Sequence, residues 1–159
     1  IIKAVREDMK VHIGEPTAEE VKIGVGSALP QEERLQITVR GRDVTTGLPT
    51  EVTIKDVQVR AWLIRSLKFI LESVKDLVEE TPPELAGDIR KNGVYMCGGG
   101  SMLRGIDELL RRNLGVDVRV VEDPLRCIAR GAGMIADDLK AHRAILNTFS
   151  SIGFGTQPK

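Results

Sequence analysis

The stretch VYMCGGGSMLRGIDELLRRNLG, residues 94–115, decides how this chain is read. An apolar run, Val94 to Cys97, stops at three glycines, and a helical pattern follows directly. The run predicts a short buried strand, and Met102, Ile106, Leu109 and Leu110 predict an amphipathic helix over 101–114, ended by Gly115. Strand, glycine turn and helix start form an arrangement that admits a ligand against bare backbone. Glycine tolerates positive φ and carries no Cβ to block close approach. In open α/β sheets ligands sit at the carboxyl ends of strands, where Gly98, Gly99 and Gly100 fall.

The known phosphate motifs are absent from this turn. No G-K-[ST] follows the glycines, and G-x-G-x-x-G is not completed, because Ser101 and Met102 lead into Leu103. Two readings stand. The glycines meet the flat, uncharged part of a nucleotide, or they make a tight strand–helix connection with no ligand at all.

Outward from that stretch, Val116, Val118 and Val120 alternate as a second strand, and Pro124 opens a helix from 125 to about 140. The two strands are expected to run parallel in one sheet. Upstream, Asp56 is expected to cap a long helix over 57–80 whose stripe is Val57, Ala61, Ile64, Leu67, Leu71, Val74 and Val78. Thr81-Pro82-Pro83 breaks it and starts a shorter helix.

The front of the chain has a different texture. Residues 1–10 keep helical spacing through Ile1, Val5 and Met9, and Val11-His12-Ile13 is strand-like. Thr17 and Glu20 have capping-box spacing, which predicts a helix start at Thr17. Leu35, Ile37 and Val39, then Val52 and Ile54, alternate across a Gly/Asp/Pro-rich turn and predict a β-hairpin. Glu19 and Lys22 stand three apart and share one helix face. Such a pair can hold a ribose hydroxyl pair and a base edge, or it is a solvated salt bridge of small energetic weight. The fold class is therefore α/β.

Composition narrows the function. Lys plus Arg and Asp plus Glu both number 23, so no basic excess argues for nucleic acid. Cys97 and Cys127 form no C-x-x-C pair, and His12 and His142 are far apart, which argues against zinc. No apolar run reaches transmembrane length. Gly131-Ala132-Gly133, inside a helical pattern, is expected to let another element pack closely. Gly153-Phe154-Gly155-Thr156 lacks a following helix and is read with the tail. The opening Ile1-Ile2-Lys3 looks like the inside of a helix, and is read as part of a longer protein.

Five segments in order, GEPTAEEVKIGVGSALP, ITVRGRDVTTGLPTEV, TPPELAGDI, MCGGGSMLRGIDELL and VEDPLRCIARGAG, resemble the MreB family of bacterial actins. The resemblance covers nearly all of residues 1–140 and implies an actin-like, ribonuclease-H-like lobe with a small α+β insertion. Residues 1–16 and 57–145 would be its inner subdomain, 17–56 the small outer one, and 146–159 a loosely ordered tail. CIARGAG would match the second connecting helix at the hinge between lobes.

The resemblance assigns ATP or ADP, through its adenosine part, to Gly98, Gly99 and Gly100, with Ser101 and Met102 at the edge, and carries the family's E-x-x-K pair over to Glu19 and Lys22. It implies ATP-dependent filaments by self-association, guiding wall synthesis and rod shape in the cytoplasm at the inner face of the cell membrane. It also implies a membrane-anchored RodZ-like partner and only indirect contact with the membrane. Nothing here resembles the D-x-G-T or D-x-G-G-G hairpins that hold phosphates and Mg²⁺ in that family. ATPase activity is accordingly expected of a full-length parent and not of this chain, which has no catalytic or metal residue to offer. A sugar-kinase lobe of the same superfold needs a catalytic Asp near a substrate hydroxyl, and no Asp here lies in a glycine-rich setting. A truncated stand-alone interaction domain is the third reading.

Overall fold

A computed structural model describes residues 1–144. The tail and its glycine cluster lie outside the described residues. The order is α1 (Ile2–Met9), β1 (Val11–His12), α2 (Glu15–Val25), β2 (Gln36–Asp43), β3 (Pro49–Lys55), α3 (Asp56–Glu79), α4 (Pro83–Asn92), β4 (Val94–Met96), α5 (Ile106–Leu114), β5 (Val118–Val120) and α6 (Cys127–Asp137).

The first part of the chain builds an antiparallel sheet in the order β1-β2-β3, with Val11 opposite Asp43 and Val39 opposite Val52. The hairpin is the predicted one. Its turn is held by Asp43, whose Oδ1 accepts the Thr45 and Thr46 amides at 2.8 and 2.7 Å. Those bonds, Thr46 first, hold the Asp43 carboxyl below its usual range. Inward-facing side chains of the sheet meet α1, α2 and the start of α3, and Val5, Val21, Ile54 and Val59 are fully buried there.

The start of α2 corrects the capping-box expectation. The helix begins at Glu15, not Thr17, with Gly14 at the N-cap and Pro16 in the first turn. Proline's fixed φ suits that position and its missing N–H costs nothing there. α3 likewise starts one residue early. Asp56 is its buried first residue, 3.6 Å from Arg60, and the Lys55 amide donates to Gln58 Oε1 at 2.9 Å. The stripe of α3 holds at Leu67, Leu71 and Val74 but differs in phase over the first turns. Val59 and Leu67 are buried and Trp62 and Leu63 half-buried, whereas Ile64 is 67% exposed. So many of its positions are apolar that spacing alone admits more than one face.

The second part is thinner. β4 and β5 pair in parallel as expected, Val94 opposite Val118. β4 is not the buried strand that its apolar run suggests: Tyr95 and Cys97 are exposed and Val94 and Met96 half-buried. Leu67, Ile106, Leu110 and Val118 form the core of this part, with Ala28 arriving from the end of α2. α6 is shorter than the predicted 125–140 span and contains no buried residue. Positions where a Cβ would point from Gly131 and Gly133 meet nothing within 4 Å, so close packing at those two glycines is not found among the described residues.

Candidate functional site

After β4 the chain turns at Gly98, whose φ of 79° is open to glycine at little cost. The turn is closed by Ser101, which is buried and donates its hydroxyl to the Gly98 carbonyl at 2.7 Å. The Gly98 amide donates to the Pro124 carbonyl at 2.7 Å and fixes the turn against the segment before α6. Residues Gly99–Met102 form one turn of 3-10 helix, not the start of an α-helix. The α-helix waits for a second glycine, Gly105 at φ 75°, and begins at Ile106. Met102 is therefore outside α5 and 57% exposed, not part of its apolar stripe.

The turn forms one wall of a cavity of about 540 Å³. Gly99, Gly100 and Met102 line it, and so do Glu19 and Lys22 of α2. Glu19 Oε2 and Lys22 Nζ lie 2.6 Å apart. Of the seven residues singled out in the sequence, five thus share one cavity. Gly98 and Ser101 are not among its lining residues; they shape the turn from behind.

Further lining comes from residues that the sequence did not offer as site candidates, although Leu67 stood in the expected stripe of α3. Leu67 and Ile70 of α3, Ile23 of α2, Leu125 and Arg104 are among them. Their mainly aliphatic surface suits a flat apolar ring. The charged pair at one rim can donate to and accept from hydroxyls and ring nitrogens. The available signal for them was the excess of apolar positions on α3 and the Leu103-Arg104 pair directly after the glycine turn.

The glycines of this chain divide by what a Cβ would meet. At Gly26 it would lie 2.3 Å from the Lys22 carbonyl oxygen, at Gly41 2.5 Å from Val11 Cγ1, and at Gly93 2.6 Å from the Asp117 carbonyl oxygen. Those three are glycine because the chain itself leaves no room. At Gly100 a Cβ would meet nothing within 4 Å, and at Gly99 only Leu125 Cδ2 at an ordinary 3.4 Å. Neither has a positive φ. Packing within the described chain does not demand glycine at 99 and 100, and both face the cavity.

This arrangement is an actin-like lobe. It superposes on MreB5 of Spiroplasma citri bound to ADP with a TM-score of 0.84 at 34% identity, over 91% of this chain and 44% of that one. The family model described as MreB/Mbl protein matches residues 1–144. Over 139 residues the chain is 40% identical to the cell shape-determining protein Mbl of Bacillus subtilis strain 168, covering 87% of this chain and 42% of that protein. Over 142 residues it is 41% identical to the cell shape-determining protein MreB of Escherichia coli K12, covering 89% and 41%. The chain belongs to the MreB/Mbl family. It spans about two fifths of the length of the relatives it matches. Among the described residues no helix is long and apolar enough to cross a membrane.

Proposed function

We propose that this chain is the adenosine-gripping lobe of an ATP-binding, filament-forming cell-shape protein of the MreB type. One observation carries the reading: Gly99 and Gly100 line a cavity that the Glu19–Lys22 pair also lines, and packing within the described residues does not require glycine at either position. In this reading the aliphatic floor takes the purine, Glu19 accepts from ribose hydroxyls, and Lys22 donates toward ribose or base. MreB5, solved with ADP, supports a nucleotide as the occupant. Among the described residues no three His, Cys, Asp or Glu side chains converge as a metal site. Mg²⁺ belongs to the full-length parent in the same proposal and rests on family membership.

Filament formation, docking of a RodZ-like membrane-anchored partner and a cytoplasmic position at the inner face of the cell membrane belong to the same proposal and rest on family membership. So does the division into an inner subdomain, 1–16 with 57–145, and an outer one, 17–56. The core around Leu67, Ile106 and Val118 supports the inner unit, while α1 and β1 pack with α2 and the hairpin.

Calorimetric titration with adenosine tests the site. Glu19→Ala and Lys22→Ala should each weaken binding, since a hydrogen bond to a charged group contributes roughly 1.5–3 kcal/mol. The double variant should lose less than the sum, because both groups act on one ligand. Unchanged affinity in all three variants would return the pair to a surface salt bridge, worth about 0–1 kcal/mol.

A further inference from the structure

The cavity is lined by segments far apart in sequence, and a short strap joins two of them beside it. After α2 the chain leaves through Gly26, Ser27, Ala28 and Leu29, and it runs alongside Leu103, Arg104 and Gly105. Ser27 pairs with Arg104 as an isolated parallel bridge. The Ala28 amide donates to the Arg104 carbonyl at 2.7 Å. At Gly26 a Cβ would lie 3.2 Å from Leu103 Cδ1, and at Gly105 it would lie 3.3 Å from Leu29 Cβ, so the two segments are in close contact at both ends.

Arg104 also crosses the strap with its side chain. Its Nη1 donates to the Gly26 carbonyl at 3.2 Å. Gly26 caps the C-terminal end of α2, where unpaired carbonyls gather partial negative charge and a cation is favoured. Ser27, the other polar side chain there, is 1% exposed and its hydroxyl has no hydrogen-bond partner among the described residues. Arg104 sits four residues after Gly100, and Gly26 sits four residues after Lys22. The cross-link therefore lies four residues along the chain from each gripping segment, and Arg104 lines the same cavity.

We propose that Arg104 is a positioning residue that locks the glycine turn to the end of α2 and so sets the spacing between these two segments of the lining. Its effect on a ligand rests on the nucleoside reading of the cavity; its effect on the strap does not. A planar guanidinium, with its donors in a fixed fork, keeps this geometry better than a lysine ammonium.

The test compares the full 159-residue chain with Arg104→Ala and Arg104→Lys, by amide hydrogen exchange and by adenosine titration. A hydrogen bond from a charged donor corresponds to roughly tenfold in an equilibrium constant. Arg104→Ala should therefore speed exchange at the Ala28 and Ser101 amides by up to about tenfold while Val21 and Ile54 keep their rates. Adenosine affinity should fall by a similar factor, and Arg104→Lys should recover part of both losses. Unchanged exchange at Ala28 and Ser101 overturns the proposal, and so does an equal rise at Val21 and Ile54, which would mean general destabilisation. Lost affinity without faster exchange overturns it too, since Arg104 would then be a direct ligand contact. Localised faster exchange with wild-type affinity also overturns it. If the parent chain does not bind adenosine, localised exchange still supports the strap, and only the nucleoside reading falls.

Discussion

The two halves of this molecule bury their apolar residues to very different degrees. In the first, the sheet β1-β2-β3 is closed by α1, α2 and the start of α3, and Val5, Val21, Ile54 and Val59 have no exposed surface. In the second, a two-stranded sheet and α5 lean on the far part of α3, and among the described residues only Val118 is buried as completely. Around that smaller core, Phe69, Leu77, Tyr95 and Ile128 stay more than half exposed. The cavity lies where the two halves meet, with Glu19 and Lys22 on the well-packed side and the glycine turn on the thin side. One wall is thus carried by a rigid helix, and the other depends on backbone hydrogen bonds for its shape. Stability and ligand binding should therefore respond to different residues.

The largest expected effect is in the closed core. Ile54→Ala removes a fully buried side chain from a site walled on all sides, and should cost about 2–5 kcal/mol. Leu110→Ala, in the thinner core, should fall near the lower end of that range, at about 2 kcal/mol, because half-exposed neighbours such as Leu109 and Leu114 can close over the gap. Urea unfolding of both variants checks the order. A larger loss for Leu110→Ala would mean that the second half is the more tightly built one.

Next come two glycines on either side of β4. Gly93 has a φ of 77° with extended ψ, and a Cβ there would meet the Asp117 carbonyl oxygen at 2.6 Å. Gly93→Ala should destabilise by at least about 1–3 kcal/mol, from backbone strain and from prying β4 away from β5. Gly100→Val, with open space around the new side chain, should change stability within about 0.5 kcal/mol and yet weaken adenosine binding. Thermal melts paired with titrations separate the two. If Gly100→Val melts the protein while the folded remainder binds normally, the turn is only a tight connection and the cavity loses its main argument.

How much of this was legible in the sequence follows the same division. Strict alternation at Leu35–Val39 and Val52–Ile54 has one solution, a half-buried hairpin, and the structure has it. The phase of the first turns of α3 was not legible, since Ala61 and Ile64 and the observed Val59 and Leu63 are both acceptable apolar rows and only tertiary contact chooses, whereas the expected Leu67, Leu71 and Val74 do reach the core. Thr17–Glu20 spacing gave a helix start that Pro16 and Gly14 overrode. In the site, three adjacent glycines were visible, but not that Gly98 alone needs a positive φ or that α5 would wait for Gly105. Glu19 and Lys22 could be put on one face by spacing; that this face looks at the glycine turn depends on the strap through Ala28 and Arg104, which no local pattern encodes.

The smallest expected effect sharpens the contrast from its other end. Phe69 on α3 is 71% exposed, so little of its area is removed from water on folding of the single chain. Replacing it by Ser should therefore leave unfolding free energy within about 0.5 kcal/mol in dilute solution. An exposed aromatic among other exposed apolar side chains is a surface through which copies can associate, and that association is concentration-dependent. Melts of the parent and of Phe69→Ser at two protein concentrations distinguish the cases. Equal midpoints at low concentration, with only the parent rising at high concentration, would show that the thin half gains stability by contact outside itself. A large loss at low concentration would show instead that Phe69 packs within the chain, and that the second half is more closed than its exposed residues indicate.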